Sequence, residues 1–373
     1  QGGRVLAQGT IPAIAQNPCS KIGPFLKGTA DTCMRKRTPS DEIFSLGKIS
    51  LSTDAIHTVK PLTAEIPKGR LTVVTGVSGS GKTTLILESL IPGLKAAIQG
   101  TKLPEHVLHV DPGGIEQVKL IDATPIGINV RSTVATYANV HDELRKIFSR
   151  TPDARSAGYK AGDFSYNTGK LRCPTCDGTG IISLDVQFLP DVKITCPDCR
   201  GSRYSREAVK IKYRSKENLS YSLPELMAMD ISTALKACAD LKLVRQRLQV
   251  LEDLGLGYLM LGEETPSLSG GEAQRLKLAS EMGRAQSDSI FVFDEPTIGL
   301  HPLDVKTLIG VFQTLIEHGA TVLVIEHDLD VIRNADYIID MGPGGGTDGG
   351  QIVAAGPPEA IKNAPLSCTG KYL

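Results

Sequence analysis

A glycine-rich segment at residues 76–83 has the residue types and spacing needed to bind phosphate. Its sequence, Gly-Val-Ser-Gly-Ser-Gly-Lys-Thr, matches the pattern G-x4-G-K-[ST] and follows a β-rich run at 71–75. Glycines allow consecutive backbone N–H groups to face one anion, and the N-terminus of a following helix adds a favourable field. We expect Lys82 to reach the β and γ phosphates of ATP and the Thr83 hydroxyl to bind Mg²⁺. The residues predicted to contact the nucleotide here are Gly76, Val77, Ser78, Gly79, Ser80, Gly81, Lys82, Thr83 and Thr84.

Two acidic residues and a histidine follow apolar runs later in the chain and indicate phosphoryl chemistry. Asp294 and Glu295 come after the run at 290–293, and His327 follows the run at 321–326. We predict that Asp294 lies near the metal and that Glu295 polarises the attacking water. His327 is suited to touch the γ phosphate, so Glu295 and His327 are the predicted catalytic residues. The alternatives are a salt-bridged surface pair for the carboxylates and a structural role for the histidine.

The segment Leu-Ser-Gly-Gly-Glu at 268–272 resembles the short motif that ABC-type ATPases press onto ATP held by a partner module. Its N–H groups and helix dipole suit a γ phosphate, and Ser269, Gly270 and Gly271 are the predicted contacts. One module alone would have an incomplete site. The motif therefore predicts two modules that pair head to tail.

Four cysteines form two matched pairs, Cys173-x2-Cys176 and Cys196-x2-Cys199, with nineteen residues between the pairs. Both pairs lie on turn-forming Cys-Pro-x-Cys sequences. Four thiolates with no open position predict a structural, tetrahedral Zn²⁺ site. An iron–sulfur cluster and a redox-active Cys-x2-Cys pair remain the alternatives.

The segment at 193–216 is locally basic, with a net charge of +6, and contains Tyr204 and Tyr213. Cations can neutralise phosphates, and aromatic rings can stack on exposed bases, so the segment is a candidate nucleic-acid surface. A solvated charged face is the alternative. Arg131, Lys160, Lys170 and Arg172 are further candidates, by charge and by closeness to the cysteines.

Composition places the chain among ordinary soluble globular proteins. It has 373 residues, a formal net charge of zero, 41% apolar residues and 22% charged residues. No run approaches the roughly 18 apolar residues that a membrane helix needs, and no signal peptide is visible. We therefore expect a cytoplasmic protein that does not bind a membrane. The overall charge gives no support for nucleic-acid binding, so any such surface must be local.

Alternating strand and helix patterns around these motifs predict an α/β fold. We expect an ABC-type P-loop ATPase core with an antiparallel β subdomain in 43–67, interrupted by a zinc-binding signature-domain insert. A long amphipathic helix is predicted at 235–254. The predicted division is 1–26, the tail of a preceding ATPase module; 27–42, a linker or mobile arm; 43–122, the first part of the core; 123–260, the insert; and 261–373, the second part of the core.

Residues 1–26 align without a gap with residues 348–373 at an offset of 347. Gly2, Gly9 and Gly23 have identical partners in Gly349, Gly356 and Gly370. Chance similarity of glycine-rich loops is the alternative to a true repeat. We expect the chain to begin with the end of one ATPase module and to continue with a second one.

Taken together, these residues resemble the UvrA family. The resemblance covers most of the chain and is carried by the phosphate loop, the four cysteines, the run at 188–192, the run at 268–278 and Asp-Glu-Pro-Thr at 294–297. It implies an ATPase, not itself a nuclease, with two modules per chain, each with a zinc-bearing signature domain. It also implies a homodimer that binds damaged duplex DNA in nucleotide excision repair, and a UvrB-like partner that binds through the first half.

Some positions depart from the family pattern. Ala123 follows Asp122 where the family usually has glutamine, and the runs at 54–59 and 128–134 also differ. A paralogue that protects against a drug or antibiotic is therefore one alternative. A transporter ATPase subunit is a second, which the zinc-bearing insert argues against.

Overall fold

The structure, a computed structural model, describes residues 4–30, 35–122, 124, 126, 131–184, 192–282 and 286–373. The sequence departure at Ala123 and the repeat pair that includes Gly2 lie outside these residues. The chain divides into two compact units: unit 1 is Gln1–Asp122 with Arg284–Leu373, and unit 2 is Ala123–Gly283. Unit 2 begins where the insert is predicted to begin. The predicted end of the insert, at residue 260, falls inside unit 2.

The strands of the described residues are β1 (Lys48–Thr53), β2 (Leu62–Pro67), β3 (Leu71–Gly76), β4 (Val107–Asp111), β5 (Gln117–Ile121), β6 (Ile181–Leu184), β7 (Val192–Thr195), β8 (Tyr213–Arg214), β9 (Ser220–Tyr221), β10 (Ser289–Asp294), β11 (Thr321–Ile325), β12 (Tyr337–Gly342) and β13 (Gln351–Gly356).

The α-helices are α1 (Ile11–Gln16), α2 (Gly23–Leu26), α3 (Ile91–Gln99), α4 (Val134–Tyr137), α5 (Val140–Phe148), α6 (Pro152–Ser156), α7 (Arg206–Lys210), α8 (Leu223–Met227), α9 (Ile231–Ala237), α10 (Lys242–Asp253), α11 (Gly270–Glu281), α12 (Pro302–Glu317), α13 (Leu329–Arg333) and α14 (Pro358–Lys362). A π-helical segment, Thr84–Leu90, leads into α3. Short 3-10 turns occupy Ser40–Glu42, Ala161–Phe164, Thr265–Ser267, Gly346–Asp348 and Thr369–Tyr372.

The core of unit 1 is a mixed sheet with the strand order β13-β12-β3-β11-β10-β5. All of its pairings are parallel except β12 with β13. The strands β3, β10 and β11 are buried nearly throughout, which explains their continuous apolar runs. Because the carboxyl ends of parallel strands meet at one edge, this sheet brings the residues after β3, β10 and β11 together.

A second, antiparallel sheet of unit 1 has the order β2-β1-β4. The antiparallel prediction for 43–67 is therefore confirmed. Strand β4 joins this sheet with Leu51 of β1 opposite Val110. Unit 2 contains two hairpins, β6–β7 and β8–β9.

The predicted long helix at 235–254 is wrong, because two helices, α9 and α10, occupy that region. The residues between them leave the helical conformation, with Leu241 at φ −94° and ψ 84°. The carboxylate of Asp240 accepts hydrogen bonds from the Tyr213 hydroxyl and the Lys216 N–H. Apolar spacing continues across the break, so the sequence pattern did not reveal it.

The repeated ends adopt matching local structure. Helix α1 and helix α14 begin 347 residues apart, at Ile11 and Pro358. The glycine before each helix has a similar backbone angle, with φ 141° at Gly9 and 150° at Gly356. A Cβ at either glycine would lie close to the Cβ of the alanine four residues later, at 3.3 Å and 3.0 Å. The repeat therefore extends to this glycine and helix, whereas β13 has no matching strand at the equivalent residues 4–9.

The described end of the predicted linker is bound to the core of unit 1. Arg35 forms a buried ion pair with Asp336, whose other oxygen accepts the N–H of Thr38 at 2.8 Å. Asp336 also accepts the N–H of Leu71 at 2.9 Å, at the start of β3. The interpretation as a mobile arm is therefore wrong for residues 35–38. Within the described residues, every helix is too short or too polar to span a bilayer.

Candidate functional site

The phosphate loop connects β3 to the helical segment that begins at Thr84. The Lys82 side chain lies across the loop, and its Nζ donates to the carbonyls of Gly76 at 2.9 Å and Val77 at 3.1 Å. Burial lowers the pKa of Lys82, and three nearby carboxylates, led by Glu295, act in the opposite direction. The Lys82 ammonium group therefore lies against the phosphate loop, close to the acidic residues Glu295, Asp340 and Asp294.

The phosphate loop is packed against residues that the sequence analysis left without a role. The glycine-rich segment 342–350 runs along the phosphate loop, and the N–H of Gly346 donates to Gly79 O at 3.1 Å. The N–H of Gly350 donates to Ser80 O, also at 3.1 Å. A Cβ on Gly345 would lie 2.5 Å from Ser78 O. The density of glycine in 342–350 was the available signal, because backbone that approaches this closely leaves no room for side chains.

Glu295 and His327 meet at the edge of the sheet, as expected from the ends of β10 and β11. Their nearest side-chain atoms, His327 Nδ1 and Glu295 Oε1, are 4.0 Å apart. Glu295 has a φ of 44°, a conformation that is strained for a residue other than glycine, and its N–H donates to Ile325 O at 3.0 Å. Strain of this kind is common at functional sites, where surrounding contacts hold one residue in place.

Asp294, the last residue of β10, is half-buried beside Glu295. Burial raises the pKa of the Asp294 carboxyl, and the charges of Glu295 and Asp122 raise it further. Acidic groups this close repel each other and favour a bound cation between them.

A further carboxylate, Asp340 on β12, lies near Lys82 and interacts with its charge. The sequence analysis did not single it out. It is buried and accepts hydrogen bonds from Ser367 Oγ at 2.5 Å and Thr369 Oγ1 at 3.0 Å. Burial raises the pKa of Asp340, while these two hydroxyls and Lys82 lower it. The repeated C-terminal segment is thereby tied to the strand next to the phosphate loop.

One cavity of about 610 Å³ collects most of the predicted residues of unit 1. It is lined by the phosphate loop together with Glu295 and His327, and also by Thr58 and Gly346, which the sequence analysis did not predict. Loop, carboxylate and histidine therefore share one space large enough for the phosphates of a nucleotide.

In unit 2, the predicted signature motif begins helix α11, with Ser269 as its N-terminal cap. Ser269 and Glu272 form a reciprocal capping box, in which Glu272 Oε2 accepts the Ser269 N–H at 2.7 Å. Tyr258 donates to the other oxygen of Glu272 at 2.6 Å. Burial alone would raise the pKa of Glu272, but the hydrogen bonds from Tyr258 and Ser269 lower it. Gly270 and Gly271 are therefore the first two residues of a capped helix.

The four paired cysteines of unit 2 converge on one point. Their sulfur atoms all lie within 4.8 Å of one another, and all four residues are buried. The Cys173–Cys196 and Cys176–Cys199 sulfur pairs are 3.9 Å and 3.6 Å apart, too far for disulfide bonds. Burial alone would raise the pKa of Cys176, but the N–H of Gly180 and neighbouring thiols lower it to about 7. The group can hold one tetrahedral metal ion.

The basic segment does not present its tyrosines to solvent, so the stacking interpretation is wrong for both. Tyr204 is 2% exposed and hydrogen-bonded to His141 Nε2 at 2.7 Å. Tyr213 is 7% exposed and donates to Asp240. Arg203 is also buried, in an ion pair with Glu264 at 2.8 Å. Among the side chains of this segment that the structure describes, the exposed cations are Arg200, Arg206, Lys210, Arg214 and Lys216.

The four cations named near the cysteines are differently placed. Arg131 and Arg172 both pair with Asp177, at 3.2 Å and 3.1 Å. Lys160 and Lys170 are exposed. Both arginines therefore form ion pairs with the residue that follows the first cysteine pair, Asp177.

No model of a protein family matches this sequence. Over its full length the chain is 43% identical to UvrABC system protein A of Aquifex aeolicus (strain VF5) and 42% identical to that of Clostridium perfringens (strain 13 / Type A). It covers 40% and 39% of those two proteins, so it spans about two fifths of the length of the curated relatives it matches. The crystal structure of UvrA2 from Deinococcus radiodurans matches all of this chain with a TM-score of 0.88 and 36% identity, over 44% of that chain.

Proposed function

This chain belongs to the UvrA family, and on that premise we propose that it is an ABC-type ATPase module that uses ATP to recognise damaged DNA in nucleotide excision repair. The observation that carries the proposal is the single cavity shared by the phosphate loop, Glu295 and His327. A carboxylate and a histidine facing a phosphate cradle are the parts that ATP hydrolysis requires.

The proposal gives the predicted residues of unit 1 the following roles. Lys82 turns from its loop carbonyls toward the β and γ phosphates of ATP. Thr83 and Asp294 would hold Mg²⁺, which neutralises phosphate charge when it is bound. Glu295 accepts a proton from the attacking water, and His327 orients the γ phosphate.

The capped start of α11 supplies the other half of a composite site. We assign Ser269, Gly270 and Gly271 to the γ phosphate of ATP held by a second module, because a helix N-terminus suits an anion. Two modules would then close head to tail on two nucleotides. The predicted domain bounds are retained in this proposal, with 123–260 as the insert and 261–373 as the second part of the core.

We assign the cysteine group to a structural Zn²⁺, since four thiolates leave no open coordination position. The exposed cations beside it are assigned to the DNA backbone, and recognition would depend on shape and deformability rather than on base sequence. We propose that a UvrB-like partner binds the first half of a full-length protein of this family. The relatives do not favour a drug-protection or transport role.

Binding to a labelled duplex with and without one bulky adduct tests this function, at fixed salt and with and without ATP. A lesion preference that changes with nucleotide is expected. Changing Arg206 and Lys210 together to glutamine should weaken binding and lower the salt dependence by about two counterions. The matched control is Lys95→Gln, an exposed lysine on α3 of unit 1. Equal, weak, salt-sensitive binding to both duplexes would contradict the proposal.

A further inference from the structure

Glu326 lies between the two catalytic positions and is completely buried, with 0% of its surface exposed. It follows β11, and its N–H donates to Val74 O of the neighbouring β3 at 3.1 Å. A carboxylate side chain is among those least often found fully inside a protein unless its oxygens are paired. Its partners therefore indicate what it does.

The two oxygens of Glu326 face different loops. Oε1 accepts the N–H of Thr297 at 2.9 Å and also the Thr297 hydroxyl. Oε2 accepts the N–H of His327 at 2.6 Å and the N–H of Asp328 at 2.9 Å. Thr297 belongs to the turn that contains Glu295, and His327 belongs to the turn after β11. One buried side chain thus joins the two turns that carry the predicted catalytic residues.

We infer that Glu326 is a positioning residue, which holds Glu295 and His327 at the spacing that ATP hydrolysis needs. This inference rests on the proposed function. Glu326 does not line the cavity, so it acts through its neighbours rather than on the nucleotide. Acceptor atoms alone suit all four donors, and an amide in the same place would direct N–H groups at other N–H groups.

The test is Glu326→Gln, which keeps the size of the side chain and removes one acceptor oxygen. We expect the ATPase kcat to fall about 100-fold, because a misplacement near 1 Å has that effect, while KM for ATP changes little. The phosphate loop that binds ATP is untouched by the change. Glu105→Gln, at an exposed position of unit 1, is the matched control.

A second variant covers the possibility that Glu326→Gln fails to fold. Thr297→Val removes only the hydroxyl donor at a half-buried position, and we expect a smaller fall in kcat, again without a change in KM. A structural role alone would lower kcat only in step with the folded fraction. Kinetics like those of the wild type in both variants, or equal changes in kcat and KM, would overturn the inference.

Amide hydrogen exchange separates this inference from the proposed function. In Glu326→Gln, exchange should rise together at 297 and at 327–328, whether or not ATP is hydrolysed. If the wild type does not hydrolyse ATP, the proposed function fails while the exchange result still decides the inference. Unchanged exchange at either turn would show that Glu326 does not connect them.

Discussion

Replacing Gly345 with alanine tests whether segment 342–350 shapes the phosphate loop. Gly345 has φ −102° and ψ 163°, which alanine adopts without strain, so any effect must be steric. The new Cβ would lie 2.5 Å from Ser78 O, whereas ordinary contact begins at 3.4 Å. The two segments must therefore separate by about 0.9 Å.

A displacement of this size in the phosphate loop should lower kcat/KM for ATP by about 100-fold, or about 2.7 kcal/mol of transition-state stabilisation. The assay is steady-state ATP hydrolysis with direct titration of Mg-ATP. The thermal unfolding midpoint is measured alongside, so that a loss of folded protein is recognised.

Gly310→Ala is the matched control, because a Cβ there meets nothing within 4 Å. Gly310 lies inside α12, where alanine favours the helix by up to about 1 kcal/mol. Its kinetics should equal those of the wild type. Wild-type kcat/KM in Gly345→Ala, with an unchanged unfolding midpoint, would refute the idea that this segment determines the shape of the loop.

Three further outcomes are expected. Glu295→Gln should bind ATP and accumulate as an ATP-bound pair of modules, visible by light scattering, because water activation is lost; normal steady-state turnover would contradict the assignment. Cys176→Ser should lose bound zinc by elemental analysis while exposed Cys19→Ser keeps it, and zinc retained at wild-type level in Cys176→Ser would count against the four-cysteine site. Burial, with a smaller effect of Arg145, lowers the pKa of His141 from 6.5 to about 3. Burying His141 in its neutral form therefore costs no free energy of unfolding above about pH 6.5, the unfolded pKa. Below that pH the unfolded state binds a proton that the folded state does not, so stability falls as the pH falls toward 3. About 2 kcal/mol should be lost at pH 5. In urea unfolding at pH 8 and pH 5, His141→Gln should lose less stability than the wild type, and equal losses would exclude this role.

Local chemistry explains why several motifs could be assigned from the sequence alone. The phosphate loop and the capped start of α11 depend on residues next to each other in sequence, and so do the two cysteine turns. Glycine at a turn and a serine three residues before a glutamate have the same conformational consequences in most proteins. The strands at 290–293 and 321–325 could also be predicted from sequence, because a fully buried parallel strand needs a continuous apolar run.

Long-range contacts decided what local patterns could not. Tyr204 and Tyr213 have the composition of a stacking surface, yet both are buried, where Tyr204 is hydrogen-bonded to His141 and Tyr213 donates to Asp240. The break between α9 and α10 likewise depends on Asp240 and its partners in 213–216. In each case the deciding partner is more than twenty residues away.

By itself, the sequence determined the phosphate-loop pattern, the buried strands β3, β10 and β11, and the two cysteine pairs that converge. Each of these follows from backbone freedom, hydrophobic period or ligand type within a short window. Only the tertiary structure showed that segment 342–350 packs against the phosphate loop, that Asp340 lies near Lys82, and that Glu326 joins the turns that carry Glu295 and His327. These roles arise where parallel strands end side by side, and strand order is a property of the folded sheet rather than of any one segment.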